Sequence, residues 1–143
     1  MKKRIWLLPL LILTSVLLTG CALQTVNEMY ALPKRSKEYD SLQSAIDSAM
    51  YGLSYSAPVS GENQQTVQMA DLDGDGVEEY IVFAQGSSSN PLQVLIFRQE
   101  EDGTCRLMEV IQSNGSAFEQ VEYVQMDNAP GYELVVGRQL SDQ

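Results

Sequence analysis

The sequence predicts a mainly β fold, an antiparallel meander preceded by one short amphipathic helix, on three observations. From Thr66 to Val136, short runs of Val, Ile, Tyr, Phe and Leu alternate with turn residues, the signature of strands joined to their nearest neighbours. Two of the breaks, Asp102-Gly103 and Asn114-Gly115, are strong hairpin signals because such residues tolerate positive φ. Ahead of them, Leu42, Ala45, Ile46, Ala49, Met50 and Leu53 recur at three- and four-residue steps, the spacing of one helical face.

Each element follows in order. Ser36 or Asp40 is placed to cap the helix, and Gly52 to end it. Its apolar face is expected to pack on the rest of the domain. Ser54 to Gln65 is rich in Ser, Gly, Pro and Asn and reads as a loop. Strands are then expected at Val67–Ala70, Tyr80–Ala84, Leu92–Arg98, Arg106–Gln112, Phe118–Met126 and Leu134–Val136. Leu92–Arg98 is apolar on both faces, as in a sheet covered on both sides. Ser87-Ser88-Ser89-Asn90 is a polar turn.

The chemistry concentrates in Asp71-Leu72-Asp73-Gly74-Asp75-Gly76-Val77-Glu78-Glu79. Carboxylates stand at loop positions one, three, five and nine, with Gly76 at six to permit a sharp turn. Calcium takes six to eight oxygens, and Asp residues alternating on a tight loop can converge on one ion. Asp71, Asp73, Asp75 and Glu79 are the expected side-chain ligands, and Val77 the donor of a backbone carbonyl. Without a cation, four carboxylates this close are expected to repel one another and raise their pKa values. The opening also matches an EF-hand loop. Position twelve of that motif must be Glu and here is Val82, inside an expected strand, so the EF-hand is rejected.

Asp-x-Asp-x-Asp-Gly-x-x-Glu between two strands instead resembles the calcium loop of FG-GAP repeats, related to VCBS repeats, which build the blades of integrin-α-like β-propellers. Val67-Gln68-Met69 recurs as Val124-Gln125-Met126, and Glu79-Tyr80-Ile81-Val82 is echoed by Glu133-Leu134-Val135-Val136. Gly131 to Gly137 looks like the closing half of a second unit. A period near 50 suits a propeller blade. The second loop, Asp127-Asn128-Ala129-Pro130-Gly131, reads as shorter and without the Asp ladder, so no ligands are carried onto it. The resemblance implies one full and one degenerate repeat of propeller-blade type. A propeller needs four to eight blades, so residues 38–143 are expected to be the first part of a longer propeller.

The amino terminus has its own signature. Lys2, Lys3 and Arg4 precede an almost wholly apolar run from Ile5 to Leu18, the layout of a secretory signal peptide. Leu18-Thr19-Gly20-Cys21 resembles the lipobox of bacterial lipoproteins. That resemblance implies a helical signal segment over 1–20, lipidation of Cys21 and residence on the extracytoplasmic face of a bacterial cell envelope. Residues 21–37 are expected to form a tether, with Lys34, Arg35 and Lys37 in a solvated linker. The membrane is then a partner through the lipid, which anchors without a protein surface.

Composition narrows the function. The chain carries 9 basic and 19 acidic residues; without Lys2, Lys3 and Arg4, 6 against 19 leaves −13. Nucleic-acid binders show a basic patch, so nucleic acid is excluded as a partner. There is no His, hence no Ser-His triad and no His-bound zinc, and no phosphate-cradling Gly-rich motif. With Cys21 committed to lipid, Cys105 has no internal disulfide partner and is expected to pack as a small apolar strand residue. The expected function is a non-catalytic, calcium-stabilised binding or structural module with a protein or carbohydrate ligand. The alternatives are a cell-envelope sensor or assembly lipoprotein with a small complete β-domain, or a solute-binding lipoprotein. The last needs two lobes around a cleft, for which the chain is short.

Overall fold

The computed structural model describes residues 36–140; the signal segment, Cys21 and the tether up to Arg35 lie outside these. Helix α1 spans Lys37–Ala49. Ser36, in extended conformation, caps it by accepting the Tyr39 N–H at 3.2 Å, while Glu38 and Asp40 sit in the first turn, where acidic groups meet the positive end of the helix dipole. The cap is therefore Ser36 and not Asp40. Among the described residues no helix is long and apolar enough to cross a membrane.

Seven strands follow: β1 Ser54–Tyr55, β2 Val67–Ala70, β3 Glu79–Gln85, β4 Leu92–Gln99, β5 Cys105–Ser113, β6 Ala117–Val124 and β7 Glu133–Gln139. All pairings are antiparallel. Among the described residues the chain is thus mainly β, with antiparallel sheets and one helix. β3, β4 and β5 lie side by side, and β1 and β2 share the other edge of β3. β1 falls inside the segment expected to be loop. Its two exposed residues carry no periodic signal, and only pairing with Ala84 and Gln85 defines it.

The sheet is covered on both faces. Toward α1 it presents Val82, Ala84, Leu95 and Phe97, packed with Ile46 and flanked by Leu42, Ala45 and Ala49. Toward β6–β7 it presents Ile81, Phe83, Leu92 and Val94, packed on Phe118 and Val121. Phe83 meets Phe118 edge to face at 5.1 Å between ring centroids, a geometry worth about 0.5–1.5 kcal/mol beyond its buried area. Alternate residues of β3 and β4 therefore serve two separate cores, which is why both strands read as continuous apolar runs.

The two turns behave differently. At Asp102-Gly103 a hairpin forms, closed by the Gly103 N–H on the Glu100 carbonyl at 2.9 Å. Only Gly103 has positive φ; Asp102 instead accepts from Thr104 N–H at 2.9 Å. At Asn114-Gly115 no hairpin forms. β5 and β6 do not pair, and β6–β7 is a separate two-stranded sheet. A side chain at Gly115 would meet the Gln139 carbonyl and Leu92, and Ser116 N–H bonds the Gln139 carbonyl at 2.8 Å. The chain turns a corner here, and Phe118 and Val121 are fully buried against the sheet face.

An internal repeat connects the two sheets. In β2–β3, Val67 pairs with Val82 and Ala70 with Glu79; 54 positions on, Val121 pairs with Val136 and Val124 with Glu133. Val67-Gln68-Met69 therefore corresponds to Val121-Glu122-Tyr123, and its echo in Val124-Gln125-Met126 is out of register. The loops are of equal length, 71–78 and 125–132, so the expectation of a shorter second loop is corrected: Gln125, Met126 and Tyr132 have also left the ladder. The units stack face to back. Ile81 and Phe83 of the first meet Leu134 and Val136 of the second, which are the counterparts of Tyr80 and Val82. In the first unit that same face is covered by α1.

Candidate metal centre

The 71–78 loop is built around its own carboxylates. Asp71 accepts the N–H groups of Gly74 at 2.7 Å and Gly76 at 3.0 Å. Asp73 accepts from Asp75 at 3.2 Å, and Asp75 from Val77 at 2.7 Å. Glu79, the first residue of β3 and 3% exposed, reaches back to Leu72 N–H at 2.9 Å. Each side chain thus uses an oxygen to hold the backbone in a curl, as short Asp side chains do in turns.

Oxygens of Asp71, Asp73 and Glu79 lie within 4.8 Å of one another. Asp75, also expected among the ligands, stands outside that group, and the Val77 side chain points outward, half exposed. Cys105 opens β5 beside α1, its N–H on the Ser41 hydroxyl at 2.7 Å, with burial raising its thiol pKa. It has no place in the cluster. Cys21 lies outside the described residues.

The residue that sequence reasoning missed is Arg98, near the end of β4. Its guanidinium bonds Asp73 Oδ2, meets Glu79 Oε1 at 2.6 Å through Nη2 and at 2.9 Å through Nε, and stands 4.0 Å from Asp75. The Arg98 hydrogen bond is the largest cause holding the Asp73 carboxyl below its ordinary value. The expected mutual repulsion of the carboxylates is therefore answered from within the chain. The only signal was a lone cation in an apolar strand; the register that brings it to Glu79, one step past the pair Tyr80–Phe97, appears only on folding.

The second loop isolates what the first adds. Glu133 accepts Met126 N–H at 3.0 Å, as Glu79 does from Leu72. Asp127 accepts Ala129 N–H at 2.7 Å, as Asp73 does from Asp75. Gln125 and Ala129 replace Asp71 and Asp75. The two loops also touch. Tyr132 N–H bonds the Asp71 carbonyl at 2.9 Å. Gly74 and Gly131 face each other so closely that a side chain on Gly74 would collide with the Pro130 backbone, and one on Gly131 with the Leu72 carbonyl.

The donor set fits a hard divalent cation in part. Calcium bonds oxygen at about 2.3–2.6 Å, so three oxygens spaced as here can share one ion, with Asp75 and the Val77 carbonyl close along the loop. For that the Arg98 guanidinium must leave Asp73 and Glu79. Compared with known protein families, curated proteins and solved structures, the chain matches none.

Proposed function

We propose that this protein is a lipid-anchored, extracytoplasmic, calcium-stabilised module of propeller-repeat type that serves binding or structure and carries out no catalysis. The observation that carries the reading is the convergence of Asp71, Asp73 and Glu79 in the loop between two paired strands, where an Asp-x-Asp-x-Asp-Gly pattern calls for a calcium ion. When bound, the ion supplies fixed positive charge and pins the loop. Asp71, Asp73 and Glu79 would hold it, with Asp75 and the Val77 carbonyl as further donors, and Arg98 would give up Asp73 and Glu79 for the solvent, to which its side chain is 26% exposed. The location rests on Cys21 and the charged-then-apolar segment before it.

A second reading rests on Arg98. In it the guanidinium is the permanent cation of the cluster, and the loop needs no metal. One experiment separates the two. The full-length chain is melted in calcium and in excess chelator. A rise in Tm with calcium that is lost in Asp71→Asn and kept in Cys105→Ser supports the calcium reading. An identical melt in both buffers overturns it and leaves Arg98 as the latch.

A further inference from the structure

Among the described residues the second unit has fewer strands than the first. β2–β3 continues into β4 and β5, whereas among the described residues no strand pairs with the far edge of β7. The far edge of β6 is closed by other means: Val59 and Ser60 donate their N–H groups to the Phe118 and Glu119 carbonyls at 3.1 and 2.9 Å, and the Asn63 amide to that of Val121 at 3.0 Å. Beside β7 runs a groove of about 220 Å³ lined by Val94, Ile96, Ile111, Leu134, Val136 and Arg138. It continues the core between sheet and hairpin, which shares Val94, Leu134 and Val136. Across the sheet this face passes from sealed to open: Phe83 is 0% exposed, Val94 4% and Ile111 43%.

We propose that the open β7 edge and this groove receive an extended strand from another polypeptide, added antiparallel to β7. The repeat specifies the occupant. β7 is the counterpart of β3, and the far neighbour of β3 is β4, antiparallel and apolar at alternate positions. An occupant of that pattern pairs its backbone with β7 and lays its apolar side chains on Ile96 and Ile111, the mode by which sheet edges take up peptides. Charge sets its direction: Arg138 stands at the end where the added strand begins, and Glu109, beside Ile96 in the adjoining cavity, at the end where it finishes. The occupant is acidic at its start and basic at its end. The proposal does not depend on calcium.

The probe is a synthetic peptide of the β4 sequence, Leu92–Gln99, extended by one Glu at its amino end and amidated at its carboxyl end, so that it is acidic at its start and basic near its end. It is titrated into the detergent-solubilised full-length chain, and amide hydrogen exchange is followed residue by residue. Expected are an at least tenfold slowing of exchange confined to β7, unchanged β6, and an at least tenfold weaker affinity in Ile111→Glu, a surface change that spares the core. Unchanged β7 exchange overturns the proposal, as does equal binding by Ile111→Glu. Protection of β7 before peptide is added that disappears on dilution also overturns it, and shows a second copy in the groove.

Discussion

Two loops of the same length close two hairpins of the same register, yet only 71–78 gathers charge. Both keep the Glu that opens the return strand and ties it to an N–H seven residues back. Both keep the Asp that holds the turn two residues on. These shared contacts are what a tight connection between antiparallel strands needs to satisfy its backbone. Asp71, Asp75 and Arg98 are the additions of the first loop, and nothing in the hairpin geometry calls for them, since the second loop forms without their equivalents. The Asp ladder therefore joins carboxylates that both loops share, Asp73 and Glu79, to two that only the first has, Asp71 and Asp75, which also bond backbone N–H groups.

Several substitutions break or sharpen this contrast. The largest effect is expected where the loops touch. Gly74→Ala adds a methyl against the Pro130 backbone at positive φ and should cost about 3 kcal/mol or more. Gly76→Ala, also at positive φ but in open space, should cost about 1–2 kcal/mol; equal urea midpoints would mean that the loops do not meet. Next, Glu79→Ala removes a buried carboxylate together with its bonds to the Leu72 N–H and Arg98 and should cost more than the matching change in the second loop. Glu133→Ala loses one exposed hydrogen bond, about 1 kcal/mol. Equal losses by denaturant titration would erase the distinction between the loops.

Under the calcium reading, an ion at one hundred times its Kd should stabilise the chain by about 2.7 kcal/mol. The double substitution Gln125→Asp and Ala129→Asp should then raise the calorimetric stoichiometry from one ion to two. A stoichiometry that stays at one would show that the backbone of the second loop cannot wrap an ion.

A smaller effect concerns Tyr123, whose counterpart in the first unit is Met69, half exposed. The Tyr123 hydroxyl donates to buried Gln68 Oε1 at 2.7 Å. Tyr123→Phe should cost about 1–2 kcal/mol through that orphaned oxygen, whereas Met69→Ala should be nearly silent. Burial raises the Tyr123 pKa above its ordinary value near 10. The folded chain favours the neutral phenol, so this contribution is full below about pH 10 and is lost as pH climbs beyond it. An alkaline melt as steep in Tyr123→Phe as in the parent would contradict this.

The smallest effect is expected in acid. The Asp73 carboxyl is held below its ordinary value near 3.8 by Arg98. Its contribution is present above about pH 4 and is lost as pH falls through the lowered folded value. Asp73→Asn should flatten the acid limb of Tm against pH slightly, and more salt should shrink the difference, because the pair is exposed.

Much of the fold was legible in the residues. Leu42 to Leu53 marked the helix because its apolar residues fall on one helical face. Val67–Ala70 and Leu92–Arg98 marked strands within a residue of their ends because β-branched runs bounded by turn residues leave few other states. The Asp ladder marked the loop; of the four side chains expected to be ligands, Asp71, Asp73 and Glu79 lie within 4.8 Å of one another and Asp75 stands outside that group. What failed shares one cause. β1, the corner at Asn114-Gly115, the true repeat register and Arg98 all depend on partners far along the chain, and local pattern carries no record of which partner wins.

The sequence by itself determined the elements, their amphipathic faces, the charge and the chemistry of the 71–79 segment, because these follow from side-chain period and type over a few residues. Only the tertiary structure decided that β6–β7 leaves the meander to cover the sheet, that among the described residues no strand pairs with the far edge of β7, and that Arg98 enters the acidic loop. Each of those outcomes is a competition between burying apolar faces and extending hydrogen-bonded edges, and it is settled by contacts that come into being when the chain closes on itself.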